Sequence, residues 1–187
     1  MGNIFNKTNK LTNASFDVQE FTLNNTITQC KVVYVYDGDT IHIVLRHNNK
    51  LTRFICRMNM IDCPEICPKN TDIKNTNDIE TINKLKTIKN LEIKSAIESK
   101  YYLLKQVVNI PIINYKMTKK EIKSFCAESE KLMWVKCLKF DKYGRLLIEL
   151  FNSKNDKISI NQLMIDNKYA ITYNGGTKKI FSVDDYN

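Results

Sequence analysis

Between Cys30 and about Met60, apolar and polar positions alternate with a period of two. Ile41, Ile43 and Leu45 take one side, and Thr40, His42, Val44 and Arg46 the other, which is the pattern of a half-buried strand. The turn His47-Asn48-Asn49-Lys50 supplies residues that tolerate positive φ, so the run 51–58 is expected to fold back as a hairpin. Farther on, Ile93, Ala96, Ile97, Tyr101, Leu104 and Val108 recur at helical spacing and predict an amphipathic helix. Pro111 and Asn114 break the chain. Thr118-Lys119-Lys120-Glu121 then reads as a capping box that opens a short helix with an apolar edge of Ile122, Phe125 and Cys126. Residues 134–140 and 146–151 read as two strands joined by a turn at 141–145. Ser159-Ile160-Asn161-Gln162 is a second capping box, with Leu163 and Met164 behind it. Five strands with a helix after the third predict an α+β fold, a five-stranded OB-like Greek-key barrel with packed helices.

Three stretches fall outside this pattern. Residues 1–29 are polar, rich in Asn and Thr and without clear periodicity, and read as a mobile arm. Residues 68–90 are a Lys/Asn/Thr stretch with sparse isoleucines, too polar for core. They read as a mobile loop, with room for partial helix, that leaves the barrel directly after Glu65 and overhangs whatever lies there. Past Gly175-Gly176, residues 175–187 form a short polar tail, which leaves 30–174 as the folded domain. The chain of 187 residues is long enough to bury a real core.

Charge adds a partner class. The net charge is +9 and the pI about 9.2, which favours a polyanion, nucleic acid before an anionic membrane surface. Heavy use of Asn, Lys and Ile would make such a chain basic in any case. No apolar run is long enough to span a bilayer and the N-terminus lacks the apolar core of a signal peptide, so an intracellular, cytoplasmic protein with six reduced thiols is expected. Cys63 and Cys67 are spaced for a zinc site, but they lack partners, and buried thiols are the better reading. Gly2 follows Met1 as in an N-myristoylation signal, although Asn6 stands where Ser or Thr belongs. Acylation there would give weak membrane association only. A monomer is expected.

Three fragments carry candidate chemistry. Asp37-Gly38-Asp39-Thr40 is an acidic turn between two strands. Arg57 leads into Ile61-Asp62-Cys63-Pro64-Glu65, and Asp141-Lys142-Tyr143-Gly144-Arg145 joins the last two strands. Hard carboxylate oxygens beside guanidinium groups suit a divalent cation gripping a phosphate. Two guanidiniums can each make paired hydrogen bonds to phosphate oxygens, and Glu65 can take a proton from water. Arg57 lies inside an otherwise apolar strand and needs an anionic partner. Asp37 and Gly38 read mainly as turn residues.

In this order the three fragments resemble the staphylococcal nuclease (thermonuclease) family, over about residues 30–173. The resemblance implies an OB-like barrel and Ca²⁺-dependent hydrolysis of DNA and RNA phosphodiesters to 3′-phosphate ends. It implies Asp39, Asp62 and the backbone carbonyl of Cys63 as metal ligands and Glu65 as the group acting on the attacking water. Arg57 and Arg145 would grip the scissile phosphate, Lys142 and Tyr143 would meet a terminal phosphate, and Tyr173 would stack on a base. The sequence departs from the family's pattern in three places. Cys63 stands where Thr is common, the segments 68–90 and 116–130 are longer than in the secreted bacterial enzyme, and that enzyme's C-terminal helix is missing. The rival expectation is a non-catalytic OB module that binds single-stranded nucleic acid.

Overall fold

The computed structural model of the protein describes residues 11–68, 78–112, 115–176 and 179–186. Five strands close into a barrel. Strands β1 (Ile27–Val35), β2 (Thr40–His47) and β3 (Lys50–Met58) form an antiparallel meander, with β5 (Met133–Phe140) and β6 (Leu146–Phe151) as a later hairpin. β6 runs parallel to β3 and β5 runs antiparallel to β1, which closes the sheet. The fold is therefore α+β, with an OB-like barrel. The alternation in β2 is realised: Ile41, Ile43 and Leu45 are buried in the core with Val32, Cys56, Met58, Val135, Ile148 and Leu150. Asn48 (φ 46°) and Asn49 (φ 62°) both take the left-handed conformation, and His47 pairs with Lys50. A two-residue hairpin turn of this hand matches the twist of the flanking strands.

Three helices pack on the barrel: α1 (Ile79–Val107), α2 (Lys119–Glu128) and α3 (Ile160–Asp166). The α2 capping box forms in both directions between Thr118 and Glu121, as its residues foretell, and Ile122 and Cys126 are buried beneath it. Ser159 caps α3 by accepting the Gln162 N–H. A two-stranded ribbon of β4 (Ile61–Asp62) and β7 (Ile171–Thr172) adds a feature too short to show as periodicity.

Three expectations need correction. β1 begins at Ile27, and Leu23 is buried in the core, so the expected arm gives up its last residues to the barrel. Pairing of Ile27–Cys30 with β5 uses main-chain groups, and so does the bond from the Asn25 N–H to the Cys137 carbonyl (2.8 Å); polar side chains do not prevent either. Second, 79–90 is not loop. Asp78 accepts the Thr81 N–H at 2.9 Å and caps a 29-residue helix whose first half is largely exposed, so its isoleucines carry little core periodicity. Residues 69–77 of the expected loop, and Gly2 at the head of the arm, lie outside the described residues. Third, the buried face of α1 is Ala96, Ser99, Tyr101, Leu103, Leu104 and Val107, while Ile97 is 38% exposed. A serine sits in that face because its hydroxyl donates to the Tyr169 carbonyl at 2.7 Å. Among the described residues no helix is long and apolar enough to cross a membrane. All six thiols are free, five of them buried and Cys67 exposed.

Candidate active site

The turn from β1 into β2 is closed by the Tyr36 N–H donating to the Thr40 carbonyl (2.9 Å). One oxygen of Asp37 accepts the N–H groups of Asp39 (3.0 Å) and Thr40 (2.7 Å), so Asp37 does serve as a turn-maker. Gly38 is there for close approach. A Cβ at this position would lie 2.6 Å from Cys63 Sγ and 2.9 Å from the Cβ atoms of Cys63 and Ser99. Without it, the acidic turn is clamped between the segment after β4 and the buried face of α1.

Strand register then brings Arg57 to the turn, because Arg57 pairs with Thr40 and the Met58 N–H donates to the Asp39 carbonyl at 2.8 Å. Met60 (φ 62°) turns the chain from β3 into β4 in a conformation unusual for its side chain. Buried Asn161 holds that turn in place. Its amide donates to the carbonyls of Asn59 and Ile148, both at 3.0 Å, while its oxygen accepts the Leu150 N–H. Tyr173 adds its N–H to the Met60 carbonyl at 2.9 Å. The result sets Asp62 opposite Asp39 with one guanidinium between them.

Arg57 Nη1 donates to Asp39 Oδ2 at 2.8 Å, and Nη2 donates to Asp62 Oδ1 at 2.9 Å and to the Ile61 carbonyl at 3.1 Å. The side chain of Arg57 is 12% exposed, those of Asp39 and Asp62 5% and 6%. Burial works against the charge on Arg57, but Asp39 and Asp62 outweigh it and its pKa is raised. A guanidinium has five N–H groups, and the three bonds above leave the Nε–H and one Nη1–H for a further acceptor. Negative charge is nevertheless in excess. Burial, and then the neighbouring Asp39, push the Asp37 carboxyl up to about 7, with Glu65 contributing. Burial chiefly, and then the same aspartates, raise the Cys63 thiol well above its ordinary value, so this thiol is no nucleophile.

An open cleft of about 610 Å³ covers this floor. Asp39, Arg57, Cys63, Glu65, Lys142, Tyr143, Arg145 and Tyr173 all line it. Asp62, bonded to Arg57, does not itself line the cleft. Fragments more than seventy residues apart in the chain thus meet in one place. Glu65 is exposed, with its N–H donating to Glu92 of α1 at 3.2 Å. On the far wall Arg145 Nε donates to Asp141 Oδ2 at 2.8 Å, and the other oxygen of Asp141 accepts the N–H groups of Tyr143 and Arg145, both at 2.9 Å. Burial alone would raise the Asp141 carboxyl. These donors outweigh it and hold it below its ordinary value. Tyr143 is largely exposed, with Lys142 and Arg145 over its ring at 5.1 and 5.6 Å. Tyr173 lies under Arg57 at 5.7 Å and anchors its hydroxyl on the Gly176 carbonyl.

Several residues here are not singled out by sequence reasoning. Asp141 positions Arg145, and its signal is an acid four residues before an arginine across a glycine turn. Thr40 donates its hydroxyl to Asp39 Oδ1 at 2.9 Å. Tyr36 forms part of the cleft wall. Tyr186 reaches back from the tail so that its hydroxyl lies 3.4 Å from the Asp62 carbonyl, and nothing in its polar context announces this.

The donors gathered here are oxygens of the kind a hard dication takes. Among the described residues no three His, Cys, Asp or Glu side chains enclose a metal by themselves. The carboxylates of Asp39 and Asp62 could hold such a cation, with main-chain carbonyl, water or phosphate oxygens to complete its shell. No family model matches the chain, and no curated protein matches it.

Proposed function

We propose that the protein is a divalent-cation-dependent phosphodiesterase that hydrolyses nucleic acid, DNA and RNA, to 3′-phosphate ends. One observation carries the reading: a single guanidinium spans two buried aspartates at the floor of a cleft whose far wall presents a second, carboxylate-anchored arginine. The resemblance of the three fragments to the staphylococcal nuclease family points the same way and names Ca²⁺ as the cation. Asp39, Asp62 and the Cys63 carbonyl would hold it, and when bound it supplies charge neutralisation at the phosphate.

The remaining work falls to the chain's own residues. The spare N–H groups of Arg57 and the Nη groups of Arg145 bind phosphate oxygens and stabilise the charge that accumulates at five-coordinate phosphorus. Glu65, exposed on the cleft wall, takes a proton from the attacking water as the new P–O bond forms. The P–O5′ bond breaks and solvent protonates the departing 5′-oxygen, which leaves a 3′-phosphate and a 5′-hydroxyl. Lys142 and Tyr143 meet a terminal phosphate and Tyr173 offers a face to a base.

A second reading, a non-catalytic module for single strands, is favoured by the internal pairing of both aspartates with Arg57, which closes the site without a cation. Incubation with single-stranded DNA in Ca²⁺ or in chelator, followed by end analysis, decides between them. Cleavage in Ca²⁺ alone with 3′-phosphate ends is expected, and Glu65→Gln is expected to bind substrate normally yet lose about 10²-fold or more in kcat. Binding without cleavage in any divalent cation would leave the module reading standing.

A further inference from the structure

We infer that the outer face of β1–β3 next to the cleft, together with α2, binds the single-stranded nucleotides that flank the scissile phosphate. The inference rests on the proposed function for its register, but its chemistry is separate from the catalytic floor. Strand pairing sets Thr40 beside Arg57, His42 beside Ile55 and Val44 beside Arg53 on this one face. Alternate residues of a strand are about 7 Å apart, so the row leads from Arg57 in the cleft to Arg53 about 13 Å away. Ile55 is 47% exposed in the middle of the row, and Tyr36, 52% exposed, belongs both to the cleft wall and to this face. Tyr36 packs edge-on against Tyr34 (6.5 Å), which packs edge-on against His42 (5.2 Å).

Cations rim these apolar groups. Lys119 and Lys123, one turn apart on α2, hold their ammonium groups 5.9 and 5.7 Å from the Tyr34 ring centroid, and Arg53 approaches from β3. None of the three has a carboxylate partner among the described residues. Glu121 of the same helix is turned to the helix start, where it accepts the Thr118 N–H. Asp37, whose charge reaches Tyr34, stands at the cleft end. His42 is kept neutral by burial and by these same three cations, so it contributes a ring and no charge. Tyr34 itself is buried beneath these cations, and the exposed surface beside them is Tyr36 and Ile55; unpaired cations next to exposed apolar and aromatic groups, continuous with the cleft, match a strand whose bases are unpaired and free to lie on the protein. A duplex would offer the apolar groups nothing, because its bases are stacked inside.

The test uses the full chain with Arg53, Lys119 and Lys123 all changed to Gln, and separately Tyr36→Ala. Glutamine keeps much of the stem that covers Tyr34, so the fold should persist, and thermal melting checks it. Fluorescence anisotropy of a labelled oligothymidylate in chelator, titrated with salt, reads binding without catalysis. The triple variant should flatten the slope of log K against log salt by about 2, since each phosphate neutralised on a single strand adds about 0.7 to the slope. Tyr36→Ala should weaken binding at every salt concentration with the slope unchanged. In Ca²⁺, KM for a long strand should rise about tenfold in the triple variant, while a substrate with one phosphodiester is cleaved as before. An unchanged slope and unchanged length dependence would overturn the surface and leave the nuclease reading intact. An equal loss on duplex DNA would overturn its single-strand character. A wild type that cleaves nothing, yet loses slope in the triple variant, would sustain the surface and sink the nuclease reading.

Discussion

Arg57→Met is the sharpest probe of the floor of the cleft. The substitution keeps much of the buried stem and removes a guanidinium bonded to Asp39 at 2.8 Å and to Asp62 at 2.9 Å. Both carboxylates are nearly inaccessible, so solvent cannot replace what they lose. Breaking a buried ion pair by removing one partner costs about 3–5 kcal/mol. For a chain of this size each kcal/mol moves Tm by roughly 2–4 °C, so a loss of about 6–20 °C is expected at pH 7. If these carboxylates are also the cation site, Ca²⁺ should raise the Tm of the variant more than that of the parent. Melting by circular dichroism, with Ca²⁺ and with chelator, makes both comparisons. A loss below about 3 °C would show that Arg57 is not what neutralises Asp39 and Asp62.

Three further substitutions test the surroundings. With its carboxyl pushed from 3.8 up to about 7, Asp37 favours the fold when protonated and withdraws that stability as pH rises through 7. Asp37→Asn, which keeps the oxygen that accepts the Asp39 and Thr40 N–H groups, should match wild type near pH 4. At pH 8 it should be the more stable by on the order of a few kcal/mol in urea unfolding, and equal stability at pH 8 would rule the shift out. Gly38→Ala forces a methyl against Cys63 and Ser99 and should cost about 1–3 kcal/mol with a drop in activity, partly rescued by Cys63→Ala; no rescue would mean that the clash lies elsewhere. Asp141→Ala releases Arg145 and two N–H groups of the turn, and should raise KM about tenfold with a stability loss near 1–2 kcal/mol; unchanged kinetics would show that Arg145 needs no positioning.

Local patterns in the chain determined much of the barrel. The alternation of Ile41, Ile43 and Leu45, the paired asparagines at 48 and 49 and the capping box from Thr118 to Glu121 each concern neighbours within a few residues, where side-chain chemistry decides the outcome alone. The grouping of Asp39, Arg57, Glu65 and Arg145 was legible too, in the order of three short fragments and in two arginines, Arg57 within an apolar strand and Arg145 at the end of a turn, that ask for an anionic partner. What the tertiary structure decided are the relations between distant segments. That Arg57 bonds both aspartates depends on the register of β2 against β3 and on a left-handed Met60 held by Asn161, more than a hundred residues onward. The start of β1 at Ile27 and the first half of α1 escaped the periodicity because exposed turns of helix and main-chain pairing ask little of side chains. Gly38 looked like a turn glycine in the sequence; only the packed fold shows that Cys63 and Ser99 need the space its missing side chain leaves.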